Sequence, residues 1–216
     1  MPHLLPSLAA LLALAVVASP GQAHAEGRAF DVEYGGRNLV RFTSSALLET
    51  IVGRSGQVRG TFSADPSRVT KGAAGRLELD LTTLVTGLER RDRDMAGPQY
   101  LHTEKFPLAV FSLKRIEAKR RDLTGGEPTQ VTLHGTFELH GVSRDVTVPG
   151  RARYVPFTKE IAVLKKLGVT GDALHFTGSF DLKLTDYGIR RPQFLAFKIA
   201  DVVRVDIDVF GFAKPR

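Results

Sequence analysis

Three residues within HGVSRD, His140, Ser143 and Asp145, are the types a serine hydrolase uses as base, nucleophile and orienter. Acyl transfer needs those groups in mutual hydrogen-bond geometry, and no Gly-x-Ser-x-Gly elbow occurs in the chain to present the serine. A hairpin corner built on Gly141 accounts for the three residues more simply. Carboxylates are plentiful, but Asp92 and Asp94 alternate with Arg90, Arg91 and Arg93. That mixture implies neutralised, solvated charge and not a dry acid–base pair. The histidines His102, His134, His140 and His175 lack the close paired spacing of a helical zinc site, which disfavours a metal centre. The absence of cysteine excludes thiolate zinc, iron–sulfur ligation and a cysteine nucleophile. No glycine-rich phosphate loop joins a strand to a helix. The absence of Trp and scarcity of Tyr weaken a sugar-stacking platform. No catalytic residue and no metal ligand is assigned, and the chain reads as non-enzymatic.

The elements that would position any site alternate with a period of two. Val58, Gly60, Phe62 and Ala64 share one face; so do Leu77, Leu79 and Leu81, and Val131, Leu133, Gly135, Phe137 and Leu139. Leu174, Phe176, Gly178, Phe180, Leu182 and Leu184 repeat the pattern, as do Val203, Val205, Ile207 and Val209. Strands with one dry and one wet face read this way. Further strands are expected at Phe30 to Tyr34, Leu39 to Ser44, Ala109 to Ile116 and Val146 to Val155, separated by turn-forming pieces such as Asp65-Pro66-Ser67 and Asp186-Tyr187-Gly188. The total is about eight or nine, in a sandwich or a closed barrel; closure is favoured because it removes exposed edges. Inward Gly60, Gly135 and Gly178 suit tight curvature, space for a ligand, or bulges. Thr86 and Glu89 predict a capping box for a short helix over Leu88 to Met95, ended before Pro98. Phe157 to Leu167 is a second helical candidate, a lid over a barrel mouth, with an extended connection as the alternative.

Residues Leu4 to Ala18 form an apolar run, and Ala23-His24-Ala25 supplies small side chains suited to signal-peptide cleavage. The expected division is a leader over 1–25 and one domain over 26–216, with the mature protein periplasmic or secreted. The formal charge of +7 at pH 7 suits an acidic envelope surface or nucleic acid. Basic residues are mixed with acids and no nucleic-acid motif accompanies them, so a solvated face is preferred and no nucleic-acid partner is assigned.

Three blocks carry more information. One holds Arg91-Asp92, Met95, Tyr100-Leu101 and Lys105-Phe106-Pro107 followed by Phe111; another runs from Leu133 through His140-Gly141-Val142 to Thr147. A third passes from Phe180, Leu182 and Leu184 to the Val203–Val209 strand. Together they resemble the YceI-like family of polyisoprenoid-binding or lipid-binding proteins over nearly all of 26–216. The resemblance implies an all-β, lipocalin-like, extended antiparallel β-barrel of about eight strands with one or two short helices, around a hydrophobic channel. It implies no catalytic cofactor, an apolar lipid partner (a polyisoprenoid or isoprenoid quinone), and transient contact with an envelope membrane; a homodimer is left open. The lining candidates, taken from inward alternation, are Phe42, Phe62, Leu79, Phe111, Phe137, Phe176, Phe180 and Val205. Arg91 and Asp92 are expected to pair or cap locally. Two departures bear on cargo: the first long strand reads Val40-Arg41-Phe42-Thr43-Ser44-Ser45, and Asp94 follows the Arg-Asp pair, where relatives often carry histidine. The rival readings are a filled-barrel interaction or structural module of the envelope, and a periplasmic hydrolase.

Overall fold

The structure is a computed structural model that describes residues 27–33, 37–158, 163 and 171–213. The leader and almost all of the second helical candidate lie outside these residues. Among the described residues there are ten strands: β1 Arg28–Val32, β2 Leu39–Ser45, β3 Thr50–Ser55, β4 Val58–Ala64, β5 Ala74–Asp80, β6 Leu108–Ala118, β7 Thr129–Leu139, β8 Val142–Val155, β9 Ala173–Lys183 and β10 Val202–Ala213. Among the same residues, one α-helix, α1 Glu89–Ala96, follows a 3-10 turn at Leu81–Thr83, and two further 3-10 turns lie between β9 and β10.

Every strand pairing is antiparallel, and β10 returns to β1 to close the sheet. Eight strands, β1 and β4 to β10, make the ring. The β2–β3 ribbon joins β10 along Arg204–Asp208, while β1 pairs with β10 at Phe212 and Ala213. Closure pairs the edges that long strands would otherwise expose. β3 has no counterpart in the hydrophobic pattern because its inward positions are Ile51, Gly53 and Ser55, of which Ile51 alone is a large apolar residue. A strand whose dry face is mostly small or polar leaves little periodic signal.

The turn from β7 to β8 is His140-Gly141, with φ of 54° and 74°, between the paired residues Leu139 and Val142. Positive φ at both central residues gives the primed turn that matches strand twist. The hairpin corner expected there is present, and it consumes the histidine as a turn residue. Register slips once, between Leu113 and Arg115 on β6.

At one end of the barrel Phe30, Ala64, Val69, Leu123, Leu174 and Ala213 pack as a dry cluster. The loops after β4 and β6 are tied there, Leu123 N donating to Pro66 O at 2.7 Å and Val69 N to Arg121 O at 2.9 Å. At the other end lie α1, the β2–β3 turn and the segment leading into β10. Asp80 closes β5 and Val202 opens β10 on that side.

Candidate functional site

Between the two ends the barrel holds a cavity of about 710 Å³. All eight expected lining residues border it. Their rows follow the register: Val205 of β10 pairs with Phe42 on one side and Phe180 on the other, and Phe111 pairs with Phe137 across β6 and β7. The Phe137 and Phe180 rings meet edge to face at 5.5 Å. Leu79 pairs with Val58, Phe176 with Val209, and Phe62 stacks on Phe30 at 5.4 Å. Leu184, expected at the end of the strand face, belongs instead to a 3-10 turn over Leu184–Tyr187, although it still borders the cavity.

Six of the eight are phenylalanines, and glycines leave room at the wall for several of their rings. A Cβ on Gly53 would sit 2.1 Å from Phe42 Cε1, one on Gly211 2.5 Å from Phe62 Cε1, and one on Gly178 2.5 Å from Phe176 Cζ. Each ring therefore lies across a neighbouring glycine instead of across the lumen. Gly135 makes room both for a ring and for a neighbouring strand, since a Cβ there would sit 2.4 Å from the Ser112 carbonyl oxygen and 2.7 Å from Phe111 Cζ. Gly60 is different: its φ of 142° and the Arg76 carbonyl 2.1 Å from a would-be Cβ require glycine for backbone reasons. The three inward glycines of the sequence thus have two causes, ring accommodation and close strand approach.

Two buried serine hydroxyls of β2 and β3 are paired. Ser55 Oγ lies 2.6 Å from Thr83 Oγ1, and Ser44 Oγ accepts from Ala200 N at 2.9 Å. The lining is otherwise apolar until one end, where every exposed lining residue is found: Leu88, Glu89, Arg90, Asp94 and Lys198. That end is the mouth. Arg91 donates to Glu49 at 2.9 Å, tying α1 to the β2–β3 turn, while its Nε is buried with no partner among the described residues. Tyr100 also borders the cavity, and burial, with the Asp94 charge adding to it, pushes its phenol above the ordinary tyrosine range. It therefore stays a neutral O–H donor at neutral pH.

The helix capping differs from the expectation. α1 begins after Leu88 with no side-chain cap, and Thr86 is not its N-cap. Asp92 instead accepts from both Thr86 N (2.8 Å) and Thr86 Oγ1 (2.6 Å), so the helix holds the preceding loop. The hold of Asp92 on the preceding loop is local, whereas Arg91 pairs with Glu49, 42 positions away, and also borders the cavity. The mouth residues Leu88, Leu195 and Lys198 sit on short segments without a hydrophobic period, and Arg90 on a helix of eight residues, so periodicity does not point to them. The clustered charge at residues 89–94 is the one signal the sequence offers there.

His140, Ser143 and Asp145 are not joined. His140 Nδ1 lies 3.2 Å from Tyr187 O; Asp145 accepts from Lys114 Nζ at 2.6 Å and Thr136 Oγ1 at 3.0 Å; Ser143 pairs with Glu138 across the ladder. On the outer face His175 Nε2 lies 2.7 Å from Asp208 Oδ1 and its ring stacks on Phe210.

A closed antiparallel barrel with an apolar lumen and a polar mouth is the class that this fold defines. The YceI-like domain model matches residues 35–210, and the chain belongs to that family. It is 30% identical over 187 residues to a UPF0312 protein of Pseudomonas savastanoi pv. phaseolicola, covering 86% of this chain and 88% of that one. A UPF0312 protein of Shewanella denitrificans is 26% identical over 159 residues, 72% of this chain and 73% of that one. Among solved structures, BcnA of Burkholderia cenocepacia superposes with a TM-score of 0.63 at 16% identity, covering 83% of this chain and 99% of that one. A polyisoprenoid binding domain from Saccharophagus degradans, implicated in plant cell wall breakdown, gives 0.61 at 16% identity, with 87% and 99% covered. At such identities these two structures speak for the fold alone.

Proposed function

We propose that the chain is an exported binding protein that shields the long apolar tail of a lipid, of polyisoprenoid or isoprenoid-quinone type, and sequesters or carries it with no covalent step. The observation that carries this reading is the 710 Å³ apolar lumen, kept open by phenylalanine rings folded onto glycines. Its size falls within the usual span of small-molecule pockets, about 300–1,000 Å³. Each CH₂ moved from water into such a space contributes about 0.8 kcal/mol, against which the tail loses conformational freedom. A solved domain of the same fold, from Saccharophagus degradans, is a polyisoprenoid binding domain, which makes an isoprenoid the first class to test. The polar end of the lipid would rest at the mouth, where the partnerless Arg91 Nε, the Tyr100 phenol and the Lys198 ammonium offer donors to an oxygen-rich head group.

Native mass spectrometry of protein purified gently from its own host, followed by lipid extraction, tests this. A lipid-sized additional mass that extraction identifies as an isoprenoid is the expected result. Empty protein from the host that also takes up neither a polyprenol nor a quinone probe in solution returns the barrel to an interaction module. For export, the envelope fraction should contain protein beginning at Glu26; protein retaining Met1 in the cytoplasm overturns it.

A further inference from the structure

We infer that the mouth is a docking face for a bilayer bearing anionic head groups, so that a tail enters or leaves the lumen without crossing water. The passenger in this inference rests on the carrier reading above; the docking does not. Of the 13 phenylalanines, only Phe194 and Phe197 are exposed, at 79% and 56%, and both lie in the short segment before β10. Leu47 and Leu48 on the β2–β3 turn are 79% and 69% exposed. These two segments are joined, since Leu48 N donates to Phe197 O at 2.8 Å. Leu88 on the opposite lip, 56% exposed, borders the cavity itself. Apolar side chains concentrated around one opening mark an interaction surface.

Charge identifies the partner. Arg90, Arg190 and Lys198 are exposed around the same opening and have no ion pair or side-chain hydrogen bond among the described residues. The lining acids Glu49 and Glu89 are paired with Arg91 and Arg93. Asp94 at the lining, and Asp186 and Asp201 on the segment that carries Arg190 and Lys198, have no ion pair among the described residues, and Asp201 is held by Thr185. Large apolar tips flanked by unpaired cations are the chemistry of an interface that sits between lipid phosphates and acyl chains. Near an anionic surface each such cation raises partition roughly fivefold. A second copy of the chain fits less well, because a two-fold contact would set Arg190 and Lys198 near their own equivalents. The apolar tips are also held in place: Arg191 Nη1 donates to Ala196 O at 3.0 Å and to Ile199 O at 2.8 Å, bracing the turn that carries both phenylalanines.

Flotation with vesicles of phosphatidylcholine alone, and with an equal share of phosphatidylglycerol, tests the docking. Protein purified from the host should float with the anionic vesicles and fall away as salt rises. Arg190→Glu should lower that partition about tenfold, and Leu48→Ser with Phe194→Ser at least tenfold. Neither variant should change uptake of a fluorescent polyprenol in solution or the melting temperature, because none of the three side chains borders the cavity. The inference fails if the unaltered protein floats with neither vesicle. It also fails if the substitutions abolish a dimer seen by size exclusion while flotation is unchanged. Flotation by a protein that never takes up the polyprenol sustains docking and removes the carrier reading; uptake without flotation does the reverse.

Discussion

Along the lumen wall, side chains two positions apart meet the same surface, and Phe42, Val205 and Phe180 come together through ladder register alone. At the mouth, Arg91 reaches Glu49 across 42 positions of chain, and Leu48 touches a segment that begins after β9. The wall is rigid because each residue is held by hydrogen-bonded neighbours on both sides; the mouth is assembled from turns held by a few side-chain bonds. Capacity and access are therefore separable in this barrel. The first belongs to the ladder and the second to three loops, so substitutions should sort by region.

The largest effect is expected behind the wall. Phe30 is fully buried, and Phe30→Ala should destabilise by about 3–5 kcal/mol in chemical denaturation. Phe194→Ala, at the rim, should stay within roughly 0.5 kcal/mol of the unaltered protein. Equal losses would show that the rim is part of the packed core and undo the contrast.

Gly53→Ala sharpens it. The three atoms nearest the new methyl all belong to the Phe42 ring, the end of a movable side chain, so the ring should swing into the lumen. We expect a loss of about 1–3 kcal/mol from overpacking and a polyprenol affinity lowered by an order of magnitude in a titration. Unchanged affinity would mean the cargo does not reach the Phe42 row.

Asp92→Ala should cost about 1–2 kcal/mol, since two donors of Thr86 lose their shared acceptor. The same variant should loosen the mouth and accelerate release of a bound probe in stopped flow. Slow release with lowered stability would place Asp92 with the wall.

The smallest effect is a pH dependence. Burial raises the Tyr187 phenol above its ordinary range, although the nearby Arg144 charge opposes this. A folded-state value above the unfolded one means that stability is fully present below about pH 10 and is lost as pH rises through the folded value. Melting followed from pH 9 to 12 should show that decline, and Tyr187→Phe should reduce it, leaving the part that the raised Tyr100 phenol contributes.

Much of the wall was legible in advance. A period of two survives wherever an inward face carries Leu, Val or Phe, as in β7 and β9, and those strands were placed within a residue or two. β3 was missed because Gly53 and Ser55 occupy its dry face. Thr86 and Glu89 satisfied a local capping rule, yet Asp92 captured Thr86 instead, an outcome that spacing alone does not reveal.

The order of residues by itself determined which faces are dry, where the His140-Gly141 corner turns, and that no thiolate chemistry is available. Those properties are local, set by side-chain alternation, by backbone φ and by composition. Only the closed tertiary structure decided that Gly53 and Gly211 would receive aromatic rings from other strands. It also decided that Leu48, Leu88 and Lys198 would surround one opening. Both outcomes depend on strand register and ring closure, which bring distant residues within van der Waals reach.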